Sequence, residues 1–183
     1  TDMSYMFYGC TLFNQPIGNW ERSTPGDVST LSLVGAMSWM FGGVTSVLFG
    51  QYTVLDGAKT FNQNIGNWNV SNVLNMSYMF AGAEKFNNGG SDTIKNWNVS
   101  KVTNMSNMFF SGNGFTPPSQ TSGFNQPLTN WNISAVINMK GMFRRQKFFN
   151  QSLSNWERST VGDVSTLANV TDMSNMFDYS TAF

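Results

Sequence analysis

Apolar residues recur at fixed offsets along this chain, separated by Asn, Ser, Thr and Gly. Around the third copy of the pattern they stand at Val73, Met76, Met79, Phe80, Ala83, Phe86, Ile94, Trp97 and Val99. The stretch from Asn67 to Phe80, NWNVSNVLNMSYMF, returns as NWNVSKVTNMSNMF at Asn96 to Phe109 and as NWNISAVINMKGMF at Asn130 to Phe143. All methionines lie in copies of its Met-x-x-Met-Phe tail, which begin at Met3, Met37, Met76, Met105, Met139 and Met173. Trp68 and Val70 are two apart and so share one face of an extended segment, with Asn67 and Asn69 on the other. This spacing predicts a short strand from Ile65 to Val70, with equivalents at Ile17, Ile94, Leu128 and Leu153. The Val-x-x-Met-x-x-Met-Phe tail spaces its apolar residues by three, which predicts a tight helical or 3₁₀ turn.

Successive tails are 34, 39, 29, 34 and 34 residues apart, and Thr1 to Phe13 matches Thr171 to Phe183 at the summed offset of 170. Residues 1–183 therefore read as one domain of five full repeats and a partial sixth. Beneath the variable spacing lies a skeleton of about 25 positions, the length of leucine-rich-type coils. The extra residues follow Trp20, Phe41, Phe86, Phe109 and Trp156 and are rich in Gly, Pro, Ser and Thr, as surface loops are. The expected fold is a leucine-rich-repeat-like solenoid. Short parallel strands stack in a ladder at about 4.8 Å per coil, joined by short helical or 3₁₀ turns and variable surface loops. Its core columns are Trp20, Trp68, Trp97, Trp131 and Trp156, and Phe13, Phe61, Phe86, Phe124 and Phe149. Paired-helix repeats of similar period are rejected, because no copy holds an amphipathic stretch long enough for two helices. Both ends fall inside a repeat without the polar cap that stacked repeats need. The expectation is a piece of a longer chain, or ends covered by neighbouring molecules.

Composition narrows the function. Ten basic and ten acidic residues leave no net charge, which removes the footprint of a nucleic-acid or anionic-membrane binder. The chain has no histidine, so Ser-His-Asp, Cys-His and His-metal arrangements are impossible. Its carboxylates Glu21 and Glu157, Asp27 and Asp163, and Asp2 and Asp172 occupy equivalent repeat positions, as scaffold residues do. No catalytic residue, cofactor or metal site is expected. The single cysteine, Cys10, stands where Ala83 stands in a later copy, so it is expected to pack as a small, partly buried group. No apolar run is long enough to span a membrane.

The asparagines are the most informative polar residues. One precedes each repeat tryptophan, at Asn19, Asn67, Asn96, Asn130 and Asn155, and another follows each repeat phenylalanine. Identical amides in stacked coils can hydrogen-bond along the axis and satisfy backbone groups at the turns. Candidate N-glycosylation acceptors are Asn69, Asn75, Asn98, Asn104, Asn132, Asn150 and Asn169. Three aromatic residues outside the skeleton, Tyr52, Phe110 and Phe115, are candidates for ligand contact.

The pattern MFxGAxxFNQxIGNWNVSNVxNM resembles the BspA-like leucine-rich-repeat surface proteins, specifically their lipoprotein-type repeats ending in Met-Phe. The resemblance implies a right-handed solenoid with a parallel strand ladder, in secreted or surface-attached proteins with roles in adhesion. None of the five spacings equals the basic repeat, so no binding surface is carried over. The expected function is an extracellular, non-catalytic structural and interaction protein, a cell-surface stalk or a self-assembling fibre associating end to end or along its length. The alternative is an adhesin-type module that recognises a glycan or host protein through the strand face or the inserted loops.

Overall fold

The computed structural model describes residues 1–20, 31–44, 46–48, 51–54, 56–111, 123–156 and 167–183, with the backbone alone for 46–48 and 51–54. Six coils, counted here from Met3, Met37, Met76, Met105, Met139 and Met173, rest on one another in chain order. The sequence-based expectation of a ladder of short parallel strands is corrected. Among the described residues the named strands are β1 (Ser46–Leu48) and β2 (Gln51–Val54), an antiparallel pair within the insertion after Phe41. The segments at Ile17, Ile65, Ile94, Leu128 and Leu153 form turns, and the coils are joined by single-residue parallel bridges, Asp2 to Ala36, Ala36 to Asn75, Asn75 to Asn104, Asn104 to Asn138, and Asn138 to Asp172.

Tryptophan explains why no strand forms at Ile65 to Val70. The N–H of Trp68 closes a turn on the Ile65 carbonyl at 3.0 Å, and Trp97, Trp131 and Trp156 do the same on Ile94, Leu128 and Leu153. The indole Nε1 then donates to the preceding coil: Trp68 to the Ile17 carbonyl at 3.0 Å, Trp97 to Ile65 at 3.1 Å, Trp131 to Ile94 at 2.9 Å and Trp156 to Leu128 at 3.4 Å. A carbonyl accepts two hydrogen bonds, so these are filled by a turn amide and an indole, leaving none for a strand ladder.

Backbone bonding between coils follows one rule in the tail. The N–H groups of Met76, Tyr78, Phe80 and Gly82 reach forward to the carbonyls of Asn104, Ser106, Met108 and Phe110, each at 2.9 Å. Between them, Met79, Ala81 and Ala83 close turns on Met76, Tyr78 and Phe80 at 3.0–3.2 Å. The amide of Ser77 is taken by the side chain of Asn75 at 2.9 Å. Alternate amides thus hold the coil to its neighbour and to itself. The turn bonds expected from the spacing of three are present, but they do not run on as a helix, because the central residue has positive φ. That residue is Tyr5, Trp39, Tyr78, Asn107, Gly141 or Asn175 in the six tails, with φ between 54 and 63°.

The core is a double file of phenylalanines. Within a coil the rings pair closely, as Phe80 with Phe86 at 3.9 Å and Phe109 with Phe124 at 3.9 Å, and between coils Phe41, Phe80, Phe109, Phe143 and Phe177 follow one another at 5.5–5.7 Å. Beside them the Met pairs of the four inner coils, Met37 and Met40, Met76 and Met79, Met105 and Met108, and Met139 and Met142, are buried, as are Trp68, Trp97, Trp131 and Trp156. Phe61, Phe86, Phe124 and Phe149 are also buried, while Phe13 and Trp20 are partly so. Each large side chain removed from water in this way contributes about 1.5–3 kcal/mol, which is the main force holding coil on coil.

Candidate functional site

The surface is built of columns, one residue per coil. The bridge column carries Asp2, Asn75, Asn104, Asn138 and Asp172, each accepting the backbone N–H two residues on: Ser4 at 2.7 Å, Ser77 at 2.9 Å, Ser106 at 3.0 Å, Lys140 at 2.9 Å and Ser174 at 2.9 Å. A side-chain oxygen one carbon from Cβ closes this loop more strongly than a hydroxyl does, which is why Asn or Asp stands there in every coil but the second, where the bridge residue is Ala36. Bonds from the serine hydroxyl and backbone N–H hold the Asp2 and Asp172 carboxyls below the ordinary aspartate range. Asn69, Asn98 and Asn132 close the same loop on Ser71, Ser100 and Ser134 at 3.0–3.2 Å.

A second column runs through the asparagines that follow phenylalanine. The Oδ1 of Asn14 accepts the backbone N–H of Asn62, Asn62 that of Asn87, Asn87 that of Asn125 and Asn125 that of Asn150, all at 2.8–2.9 Å. Asn62 Oδ1 also accepts Gly89 N–H at 2.9 Å. These side chains extend the backbone bonds made two residues earlier at the same corner, where the N–H groups of Thr60, Lys85 and Gly123 donate to the carbonyls of Thr11, Lys59 and Glu84 at 3.1–3.3 Å.

Among the acceptors predicted for N-glycosylation, Asn98, Asn132, Asn150 and Asn169 are exposed, whereas Asn69, Asn75 and Asn104 are half-buried. Ser77 and Ser106, the hydroxyl residues of two of those motifs, are buried. Asn169 also donates to the Ser134 carbonyl at 2.6 Å. Phe110 is 3% exposed, packed with Trp39 and Ala81 and covered by the Arg144 guanidinium 5.2 Å above its ring, so it offers no face to a ligand. Tyr52 belongs to β2, where the backbone alone is described, and Phe115 lies outside the described residues. Cys10 is exposed, contrary to the packed role expected of it. Its counterparts Ala83 and Ser180 are buried.

The sequence reading missed the positive-φ column. Tyr5, Trp39 and Tyr78 carry aromatic rings in a backbone conformation that suits Gly and Asn, and those rings stack outside the main core, Trp39 on Tyr78 at 4.0 Å and 4°. The signal was available, since the same position holds Asn107, Gly141 and Asn175 in later coils. Around it lie Tyr8, 5.8 Å from Trp39, and Val44, whose N–H donates to the Tyr8 hydroxyl at 3.1 Å. Farther along the same flank, Arg144 Nε donates to Asp178 at 3.0 Å, and the Arg145 guanidinium sits 5.0 Å from the Tyr179 ring, its pKa pushed down by burial.

Among the described residues no three His, Cys, Asp or Glu side chains gather as a metal site, and no helix is long and apolar enough to cross a membrane. No curated protein and no solved structure matches the chain. A family model does match, over residues 1–51 and again over 44–122. These matches cover two consecutive portions of the stack and together reach two-thirds of its length, so the chain belongs to the family described as DUF285, Mycoplasma protein of unknown function.

Proposed function

We propose that this chain is a non-catalytic structural and interaction protein of the cell exterior, the repeat-built part of a surface stalk or fibre. One observation carries this reading. Five successive coil junctions keep the same hydrogen-bond rule although the repeats differ in length from 29 to 39 residues. In each junction the N–H of residue i in one coil reaches the carbonyl of the residue before its equivalent in the next. The offset is 33 for Met3 to Ala36, 38 for Met37 to Asn75, 28 for Met76 to Asn104, and 33 for Met105 to Asn138 and Met139 to Asp172. A scaffold that must extend by adding like units needs that constancy, whereas a catalytic site needs one unlike place. The resemblance to BspA-like surface proteins, and a neutral exterior of Asn, Ser and Thr, agree with an extracellular setting.

Protease treatment of intact producing cells tests the location. Loss of the protein from intact cells, with cytoplasmic proteins spared, is expected; full protection of the protein until the cells are lysed would remove the reading.

A second reading, an adhesin-type module for a glycan or a host protein, is favoured by the outer aromatic group. Tyr5, Trp39 and Tyr78 hold strained backbone, and such strain concentrates at functional sites. Tyr5, 56% exposed, is the ring most open to solvent in that group. Glycan-array or cell binding that falls on Tyr5→Ala with the fold intact would support it, and unchanged binding would exclude this group as the contact.

A further inference from the structure

Asn88 breaks the pattern of its column. Asn14, Asn62, Asn125 and Asn150 are each followed by glutamine, whereas Asn87 is followed by Asn88 and then by Gly89. Gln63, Gln126 and Gln151 reach back along the corner, their Nε2 groups donating to Asn14, Asn87 and Asn125 at 3.0–3.2 Å. Asn88 turns inward instead. It is fully buried with φ of 52°, and Gly89 and Gly90 continue the left-handed backbone at 63° and 79°.

The Asn88 carboxamide is held at both ends. Its Oδ1 accepts the N–H of Ile65, in the second coil, at 2.9 Å, and its Nδ2 donates to the Ser91 carbonyl at 2.8 Å and the Thr93 hydroxyl at 3.2 Å. The following amide is held as well, because the Gly89 N–H donates to Asn62 Oδ1, also in the second coil, at 2.9 Å. Glycine at 89 is required by its positive φ and by space, since a Cβ there would stand 3.2 Å from the Asn64 nitrogen. An asparagine before glycine is chemically labile: with no Cβ to obstruct it, the glycine nitrogen closes readily on the asparagine side chain. The residue that this corner needs for its shape therefore makes its neighbour reactive, and both reacting groups are restrained by the coil before.

We infer that Asn88–Gly89 is a deamidation site gated by the seating of the third coil on the second. When the coils part, Asn62 and Ile65 release both groups together. The Gly89 nitrogen, its proton passed to water, bonds to Asn88 Cγ; the Cγ–Nδ2 bond breaks, and the departing nitrogen takes a proton from water to leave as ammonia. Water then opens the succinimide, at one carbonyl to aspartate and at the other to isoaspartate.

The product does not fit the closed corner. A carboxylate at position 88 would face the Ser91 carbonyl oxygen, to which the amide now donates, in a place without exposure to water. An isoaspartate adds a methylene to the main chain and carries Gly89 away from Asn62. A brief parting of two inner coils becomes a permanent mark in the stack.

The experiment is peptide mapping by mass spectrometry of the protein aged at mildly alkaline pH, folded and in urea, reading the exchange of amide nitrogen for oxygen at Asn88. Mapping separates this site from the other Asn-Gly pair, Asn113–Gly114, which lies outside the described residues. Expected is deamidation about a hundredfold slower in the folded chain than in urea, the factor given by a local opening that costs about 2.8 kcal/mol. Asn62→Ala should speed the folded chain about tenfold, the effect of one lost hydrogen bond, while Asn62→Asp keeps the acceptor and the slow rate. Asn125→Ala removes the same kind of acceptor one coil later and should leave Asn88 at the parent rate. Where Asn62→Ala fails to fold, Thr93→Val, which removes an acceptor of the Asn88 amide, must speed the reaction instead. Equal rates in folded and urea-unfolded chains overturn the inference, as does an Asn62→Ala rate no higher than that of Asn125→Ala. Asn88→Asp should unfold at lower urea than the parent, and an unchanged midpoint would remove the permanent mark.

Discussion

The indole Nε1 of Trp97 donates to the carbonyl of Ile65, one coil earlier, at 3.1 Å. That carbonyl also accepts the backbone N–H of Trp68 at 3.0 Å, so a side chain and a turn together fill the acceptor that a strand ladder would have used.

Truncation separates packing from this bond. Trp97→Ala opens a hole between two coils and is expected to cost about 3–5 kcal/mol. Trp97→Phe keeps much of the ring but loses the donor; because Ile65 retains its turn bond, the hydrogen-bond part of the loss is about 1 kcal/mol. Urea unfolding of both variants measures the two effects. Equal stability of Trp97→Ala and the parent would show that the tryptophan does not hold the coils together.

Asn62 serves two amides, those of Asn87 and Gly89. Asn62→Ala strands both and is expected to lower stability by about 1–3 kcal/mol. Asn62→Asp keeps the accepting oxygen and is expected to lose less than half as much, the carboxylate being a stronger acceptor of N–H. If the two variants melt alike, the amide column is not a source of stability.

Asn175 has φ of 58° and is exposed, so its backbone can be tested without disturbing the core. Asn175→Ala places a Cβ residue with no compensating amide in the left-handed region, at a cost of about 1 kcal/mol. Asn175→Gly is expected to be neutral or slightly stabilising, since glycine takes that conformation freely. The thermal melts of the pair should separate, with glycine above alanine.

Acid should loosen the ends of the bridge column. The Asp2 and Asp172 carboxyls are lowered first by the hydroxyls of Ser4 and Ser174 and then by their backbone N–H groups. A group depressed in the folded state stabilises above its unfolded value, about 3.9 for Asp, and loses that contribution as pH falls through the folded value. Stability should therefore decline below about pH 4. The Asp2→Asn, Asp172→Asn double variant, which keeps both loops without titrating, should flatten that part of a Tm profile recorded between about pH 2 and 5. A profile unchanged by the double variant would assign the acid limb elsewhere.

The sequence by itself determined the period and which residues share a column. A residue type that returns at one offset, like the Trp of Trp68, Trp97, Trp131 and Trp156 or the Asn of Asn62, Asn87, Asn125 and Asn150, must face the same neighbour each time. It also carried the reason to expect amides bonding along the stack. What only the tertiary structure decided was how the backbone travels between those columns. The alternation of Trp68 and Val70 suits a strand, yet the carbonyl at Ile65 is claimed by an indole from the next coil, a bond that exists only once coils are stacked. Tyr78 has no local preference for positive φ, and its ring is held there by Trp39 from the neighbouring coil. Phe110, outside the repeat skeleton in sequence, is drawn inward by that same aromatic group. Local pattern specifies which atoms are apolar and which can donate, and the packing of one coil on another selects which donors and acceptors meet.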